Sequence, residues 1–187
     1  MKYEEIYSDV FKNKRSYNSN NSLSYQKSIE FLTEIEKENT IDSIIDIGSG
    51  KGNLLKRLPR DKEIFSYDLD CFYDKNSLKH VSFQKLNLSQ KEQLQSIKEA
   101  DFLFCLDVLE HLEEEHIGSI LKVFSEKANF CFFAIANHSD IVRGVELHLI
   151  QEDQVYWNKK INKYFKIISF ETLYDNRLML YGLSSLQ

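Results

Sequence analysis

The sequence predicts a single three-layer α/β domain, a mostly parallel sheet between helices, and three observations carry that prediction. Apolar runs at 44–47, 63–67, 81–86, 101–106 and 130–135 alternate with segments of helical spacing, which is the pattern of strands joined by crossover helices. The first run ends in an acid and passes into three alternating glycines, Asp46-Ile47-Gly48-Ser49-Gly50-Lys51-Gly52, the signature of a buried strand, a tight turn and a helix start. Two closing runs, 165–173 and 177–183, are separated only by Tyr174-Asp175-Asn176, and so short a turn demands an antiparallel pair.

Composition sets the bounds. The chain has 187 residues, 42% hydrophobic and 28% charged, enough for one sizeable core without a second domain. A net charge of −5 offers no field for a phosphate backbone, so nucleic acid is disfavoured as a partner. The dense basic stretch, Lys51, Lys56, Arg57, Arg60 and Lys62, reads as the solvated face of a helix. No segment approaches the about 18 apolar residues of a membrane span, and the start of the chain lacks a signal-peptide core; a cytoplasmic protein is expected. Cys71, Cys105 and Cys131 lack metal-type spacing and are expected as reduced thiols.

Taken in order, residues 1–23 are polar and Asn/Ser-rich with Tyr3, Tyr7, Phe11 and Tyr17, either a tail or an arm over a bound ligand. The domain proper is expected over 24–187. Tyr25, Ile29, Leu32 and Ile35 form a helical stripe over 24–38. After the glycine turn a helix is expected from Asn53, with Leu54, Leu55 and Leu58 on the sheet. The second strand ends in Asp68-Leu69-Asp70. An acid at this tip, about 20 residues past the glycines, is where such sheets grip ribose hydroxyls, and one carboxylate can accept from both. The third strand leads to Asn87-Leu88, and Ser89-Gln90-Lys91-Glu92 reads as a capping box opening a helix. The fourth strand runs into Asp107-Val108-Leu109-Glu110-His111, and a helix over 113–124 follows. The fifth gives way to Ala136-Asn137-His138, and a connector reaches His148. A helix over 151–164 with Val155, Trp157 and Ile161 precedes the hairpin.

A dinucleotide fingerprint would need glycine at position 53, which is Asn53. The pattern present, D-x-G-x-G-x-G with Asp46 leading, resembles motif I of the class I S-adenosylmethionine-dependent methyltransferases. That resemblance covers about residues 25–187 and implies a Rossmann-like sheet of seven strands in the order 3-2-1-4-5-7-6, closed by an antiparallel hairpin. It implies S-adenosylmethionine as cofactor and S-adenosylhomocysteine as product. Asp46, Gly48, Ser49, Gly50 and Gly52 would hold the methionine end, Asp68 with Leu69 the ribose, and Asn87 with Leu88 the adenine. The backbone near Leu106 would take the methionine ammonium. An acid in the turn suits a ligand carrying a sulfonium and an ammonium. Asn87 departs from the aspartate common at its position and can still accept through its amide oxygen.

Methyl transfer is an in-line displacement, so the protein aligns the nucleophile, excludes water and removes a proton. Histidine suits the last task near neutrality, and His138, His111 and His148 stand at strand ends. His138 is the preferred base, His111 the second. Asp107, Glu110 and His111 also resemble the E-x-x-E-H element of the quinone O-methyltransferases and the small-RNA 3′-end methyltransferases. There, with a further histidine, such residues bind a divalent metal. The metal-free reading is preferred, because Asp107 is one methylene shorter than the glutamate of those families and many metal-free relatives show a similar stretch. Residues 144–150 with Tyr156 and Trp157 are loosely similar to small bacterial methyltransferases of cell-surface saccharide synthesis, which implies a small polar or saccharide-type hydroxyl as acceptor. The alternatives are a nicotinamide-dependent oxidoreductase and a non-catalytic binding module on the same sheet.

Overall fold

The computed structural model describes Ile6 and residues 23–186. The chain order is α1 (Leu23–Ile35), β1 (Ser43–Ile47), β2 (Glu63–Asp68), β3 (Val81–Lys85), α2 (Lys91–Leu94), β4 (Ala100–Leu106), α3 (Glu114–Lys127) and β5 (Ala128–Ala136). Then come β6 (Ile141–Val142), β7 (Val145–Glu146), α4 (Gln154–Ile161), β8 (Phe165–Leu173) and β9 (Leu178–Ser185). The main sheet has seven strands in the order β3-β2-β1-β4-β5-β9-β8. Strands β1 to β5 are parallel, and β9 runs antiparallel to both β5 and β8.

Strand alternation divides the core into two layers. Ile44, Phe102, Phe104 and Phe132 meet α1 through Phe31, Leu32 and Ile35, while Ile45, Leu103, Cys105 and Phe133 meet α3 and α4 through Ile117, Phe124, Trp157 and Ile161. The middle strands are covered on both faces, which explains their unbroken apolar runs. A fully buried phenylalanine such as Phe102 or Phe104 contributes about 1.5–3 kcal/mol.

Several expectations shift. The last two sheet strands are the eighth and ninth of the chain rather than the sixth and seventh. The reason is that the expected connector folds into a ribbon, β6 paired antiparallel with β7. Its turn is Arg143-Gly144, at φ 52° and 78°, the positive pair that a two-residue hairpin needs. The helix expected from Asn53 is a single 3-10 turn, Leu55–Arg57, so the basic stretch is not one helical face; Leu54, Leu55 and Leu58 are nevertheless buried against the sheet. The capping box does not form. Gln90 precedes α2 without a side-chain cap, and the Gln93 carboxamide accepts from the Asn87 N–H instead (2.9 Å). The buried face of α1 is Ser24, Ser28, Phe31, Leu32 and Ile35, which turns Tyr25 partly outward. Helix α4 is shorter than expected, starting after Asp153, whose carboxylate accepts from the Tyr156 N–H (3.1 Å). Trp157 is fully buried core. The arm expected at 1–23 falls outside the described residues except for Ile6, which packs with Val142 and Leu147 of the ribbon region, and Leu23, which opens α1.

Candidate active site

A cavity of about 1010 Å³ runs along the carboxyl ends of β2, β1, β4 and β5, the edge where open parallel sheets take ligands. Its wall includes Gly48, Ser49, Gly50, Asp68, Leu69, Asn87, Leu88 and Leu106, and also Asp107, His111, His138 and His148. Strand order sets their sequence in space: Asn87 and Leu88 at the β3 end, Asp68 and the glycine turn in the middle, the histidines beyond β4. Asp46 and Gly52, expected among the ligand-holding residues, are not on this wall. Neither are Tyr156 and Trp157.

The glycine turn is fixed from both sides. The Gly48 N–H donates to the Tyr67 carbonyl (2.8 Å), and the Gly50 N–H donates to Asp68 Oδ2 (2.7 Å). Gly48 lies at φ +72°, and a Cβ there would come within 2.3 Å of Val108; only glycine lets the turn lie so close to the segment after β4. Gly52 is needed for packing, since a Cβ on it would press on Leu78 and Tyr73.

Asp68 accepts from Gly50 through one oxygen and from the Leu69 N–H through the other (2.7 Å). Burial raises its carboxyl to about 6 against those two hydrogen bonds. Asp46, beneath the turn, is buried with Oδ2 unpartnered; burial first, then the charge of Asp68, holds it well above the carboxylate range. Asn87 Oδ1 accepts from the Ser89 N–H (3.0 Å), so this side chain shapes the turn that carries Leu88 to the wall.

At the other end three imidazoles meet. The rings of His111 and His148 are 4.6 Å apart and those of His138 and His148 4.9 Å. Each Nδ1 faces a backbone carbonyl: His111 that of Leu147, His138 that of Ser139, His148 that of His138. A carbonyl can only accept, so Nδ1 carries the proton and a neutral ring keeps its lone pair on Nε2. Burial, and next the neighbouring His148, pushes His111 down to about 4; burial also lowers His148. Both are neutral at physiological pH.

Two carboxylates that sequence reasoning did not single out as structural ties organise this end. Glu110, fully buried, accepts from the Ala136 N–H through Oε1 (2.9 Å) and so joins the turn after β4 to the end of β5. Its Oε2 has no hydrogen-bond partner. Glu146 accepts from the Ser139 hydroxyl and from the N–H groups of Asp140 (2.8 Å) and His148 (3.0 Å). These bonds, the Ser139 hydroxyl foremost, lower its carboxyl to about 2. The available sequence signal was the pair of β-branched residues on either side of Arg143-Gly144. Ligand atoms of Glu110, His111 and His148 lie within 4.8 Å of one another. The metal set expected at Asp107, Glu110 and His111 therefore changes one member, His148 replacing Asp107. Asp107, at φ 54°, opens onto the cavity with protein on its other sides; burial raises its carboxyl and His138 opposes the rise.

Neither a family model nor a curated protein matches the sequence. Solved structures do match by shape. The N-methyltransferase NodS from Bradyrhizobium japonicum WM9, in complex with S-adenosylhomocysteine, superposes with a TM-score of 0.73 at 10% identity over 98% of each chain. The methyltransferase domain of bacterial CtHen1 gives 0.64 at 19% identity, over 87% of this chain and 100% of that one. The 16S rRNA methylase ArmA gives 0.62 at 19% identity, over 96% and 91%. The chain thus has the fold of the class I S-adenosylmethionine-dependent methyltransferases.

Proposed function

We propose that this protein is an S-adenosylmethionine-dependent methyltransferase acting on the oxygen of a small polar or saccharide-type hydroxyl. The observation that supports this reading is one cavity whose wall carries, in spatial order, Leu88, Asp68, the glycine turn and three histidines whose Nδ1 atoms face backbone carbonyls. Leu88 and Leu69 would sandwich the base, Asp68 would accept from the ribose diol, and the turn at Gly48–Gly50 would lie against the chain leading to sulfur. The acceptor oxygen then attacks the methyl carbon as the sulfur–carbon bond breaks, and sulfur keeps the electron pair. The hydroxyl proton passes to His138, which lines the cavity and is half-buried. His111, lowered to about 4, is too weak a base to compete near neutrality.

Binding separates this reading from its rivals. S-adenosylhomocysteine is expected to raise the melting temperature and NAD(H) to leave it unchanged; a shift with NAD(H) alone would favour the oxidoreductase, and the absence of glycine at position 53 argues against it. A non-catalytic module would bind S-adenosylmethionine without ever consuming it.

A second reading, metal-assisted transfer, is favoured by one observation: the orphaned buried Oε2 of Glu110, with ligand atoms of Glu110, His111 and His148 within 4.8 Å of one another. Mixed O/N ligands suit a divalent ion such as Mg²⁺, Mn²⁺ or Zn²⁺. Glu110, His111 and His148 would hold it, and it would supply Lewis-acid polarisation of the acceptor hydroxyl. If this reading is right, elemental analysis finds about one divalent ion per chain, and Glu110→Gln loses it. If it is wrong, EDTA leaves turnover untouched and the protein is isolated free of metal.

A further inference from the structure

We infer that Tyr25 and Asn53 together seat the carboxylate of the cofactor's amino-acid end, making the first described helix part of the binding site. The inference rests on the proposed cofactor and refines how it is held. If the base lies at Leu88 and the diol at Asp68, the amino-acid end has to extend over the middle of the sheet, above β1 and β4. There the wall is made by Tyr25 of α1 and by Lys51 and Asn53 of the glycine turn, with Asp107 from the end of β4.

An amino acid brings both a cation and an anion. The middle of the cavity answers the ammonium with Asp107. The carboxylate calls for donors, and the donors present are the Tyr25 hydroxyl, the Asn53 amide and the Lys51 ammonium. The Tyr25 phenol and the Asn53 side chain both line this part of the wall. A phenol brings one O–H donor and a carboxamide two N–H donors to an acceptor on this side. The phenol remains a donor at any physiological pH, because burial, then Asp107, then Asp46 push it up to about 12. Arg57 stands 5.9 Å from the centre of the Tyr25 ring, adding positive potential on the same side. Asn53 is itself buried. It stands where a dinucleotide site would need glycine, so a polar side chain takes up space that a pyrophosphate would claim.

The test uses two ligands that differ in this end alone: S-adenosylhomocysteine, and 5′-methylthioadenosine, which keeps the nucleoside thioether and lacks the amino acid. Calorimetry on wild type, Tyr25→Phe and Asn53→Asp measures both. Removal of a hydrogen bond to a charged group is expected to weaken S-adenosylhomocysteine about 10-fold in Tyr25→Phe. Asn53→Asp sets a like charge against the carboxylate and is expected to weaken it further. Methylthioadenosine affinity should change by less than about twofold in either variant. Equal losses for both ligands, or no loss for either, would overturn the assignment while leaving the cofactor reading intact. Failure of the wild-type protein to bind either ligand would overturn both. Thermal melting of each variant identifies loss of fold, and Tyr25→Phe keeps the ring that packs beside Arg57.

Discussion

Replacing Asp68 with alanine is expected to weaken S-adenosylhomocysteine binding by about 1–3 kcal/mol, roughly 5- to 150-fold, the cost of leaving the ribose hydroxyls without their acceptor. The same substitution releases the Gly50 N–H, which Asp68 holds at 2.7 Å, so part of the loss comes through the turn. The carboxyl also makes a prediction about pH. In the folded protein it is raised to about 6 from an ordinary 3.8, burial being the main cause. The folded state therefore keeps its proton longer than the unfolded chain does. Stability from this group is full below about pH 4 and falls as pH rises through 6. The loss at neutral pH is at most about 3 kcal/mol, reduced by whatever water the cavity admits. Ligand-free Asp68→Asn should then melt above wild type at about pH 7.5, and the gap should close toward about pH 5. Affinity for the cofactor should behave in the opposite way, falling in wild type below about pH 6 as the carboxylate is protonated. Unchanged calorimetric affinity in Asp68→Ala would remove the ribose role. A pH-independent gap in melting temperature would show that burial of charge at this site has no cost.

Much of the frame was legible because its signals are local. The apolar runs at 44–47 and 101–106, the glycines after Asp46 and the short turn at 174–176 are each signals of neighbouring residues, and the structure has a strand or turn at every one. Tyr174, Asp175 and Asn176 all take positive φ, which the closeness of the two strands forces on non-glycine residues. What failed depended on distant partners. Whether residues after Asn53 extend into a long helix is decided by packing against α1 and Leu78, and there the chain takes one 3-10 turn. Ser89 looked like a cap, yet the Gln93 side chain reached the Asn87 N–H first. At the site, the place of Asp68 on the cavity wall was readable because it follows from the strand end. Glu110 and Glu146 were not, because one is defined by Ala136, 26 residues on, and the other by a ribbon that spacing alone did not announce. Asp46 carries the opposite lesson: its place in the motif was recognised, and its side chain stands behind the cavity wall.

His138→Ala is expected to lower turnover by about 10²–10⁴-fold, the range for a positioned general base, with S-adenosylhomocysteine affinity within about twofold of wild type. The argument is one of geometry and charge. The Ser139 carbonyl fixes the proton on Nδ1, so Nε2 is the basic nitrogen. The ring is braced on His148 at 4.9 Å, and His148 is in turn held by the carbonyl of His138. When the hydroxyl proton arrives, the new imidazolium sits in the field of Asp107, the carboxylate on the same cavity wall with which it interacts; a fixed negative charge beside a developing positive one lowers the barrier to its formation. Burial, the largest effect at both His111 and His148, disfavours a proton there and outweighs the opposing charges of Asp140 and Glu146. Turnover is measured as S-adenosylhomocysteine release with whichever hydroxyl compound the wild type methylates from a panel of saccharides and small polar alcohols. Added imidazole should restore part of the lost rate, since a diffusible base can replace a missing side chain but not a missing fold. Asp107→Asn should slow the same step while leaving the His138 ring in place. Full turnover in His138→Ala would end its assignment as base; with EDTA-sensitive turnover as well, proton removal would pass to the site at Glu110, His111 and His148.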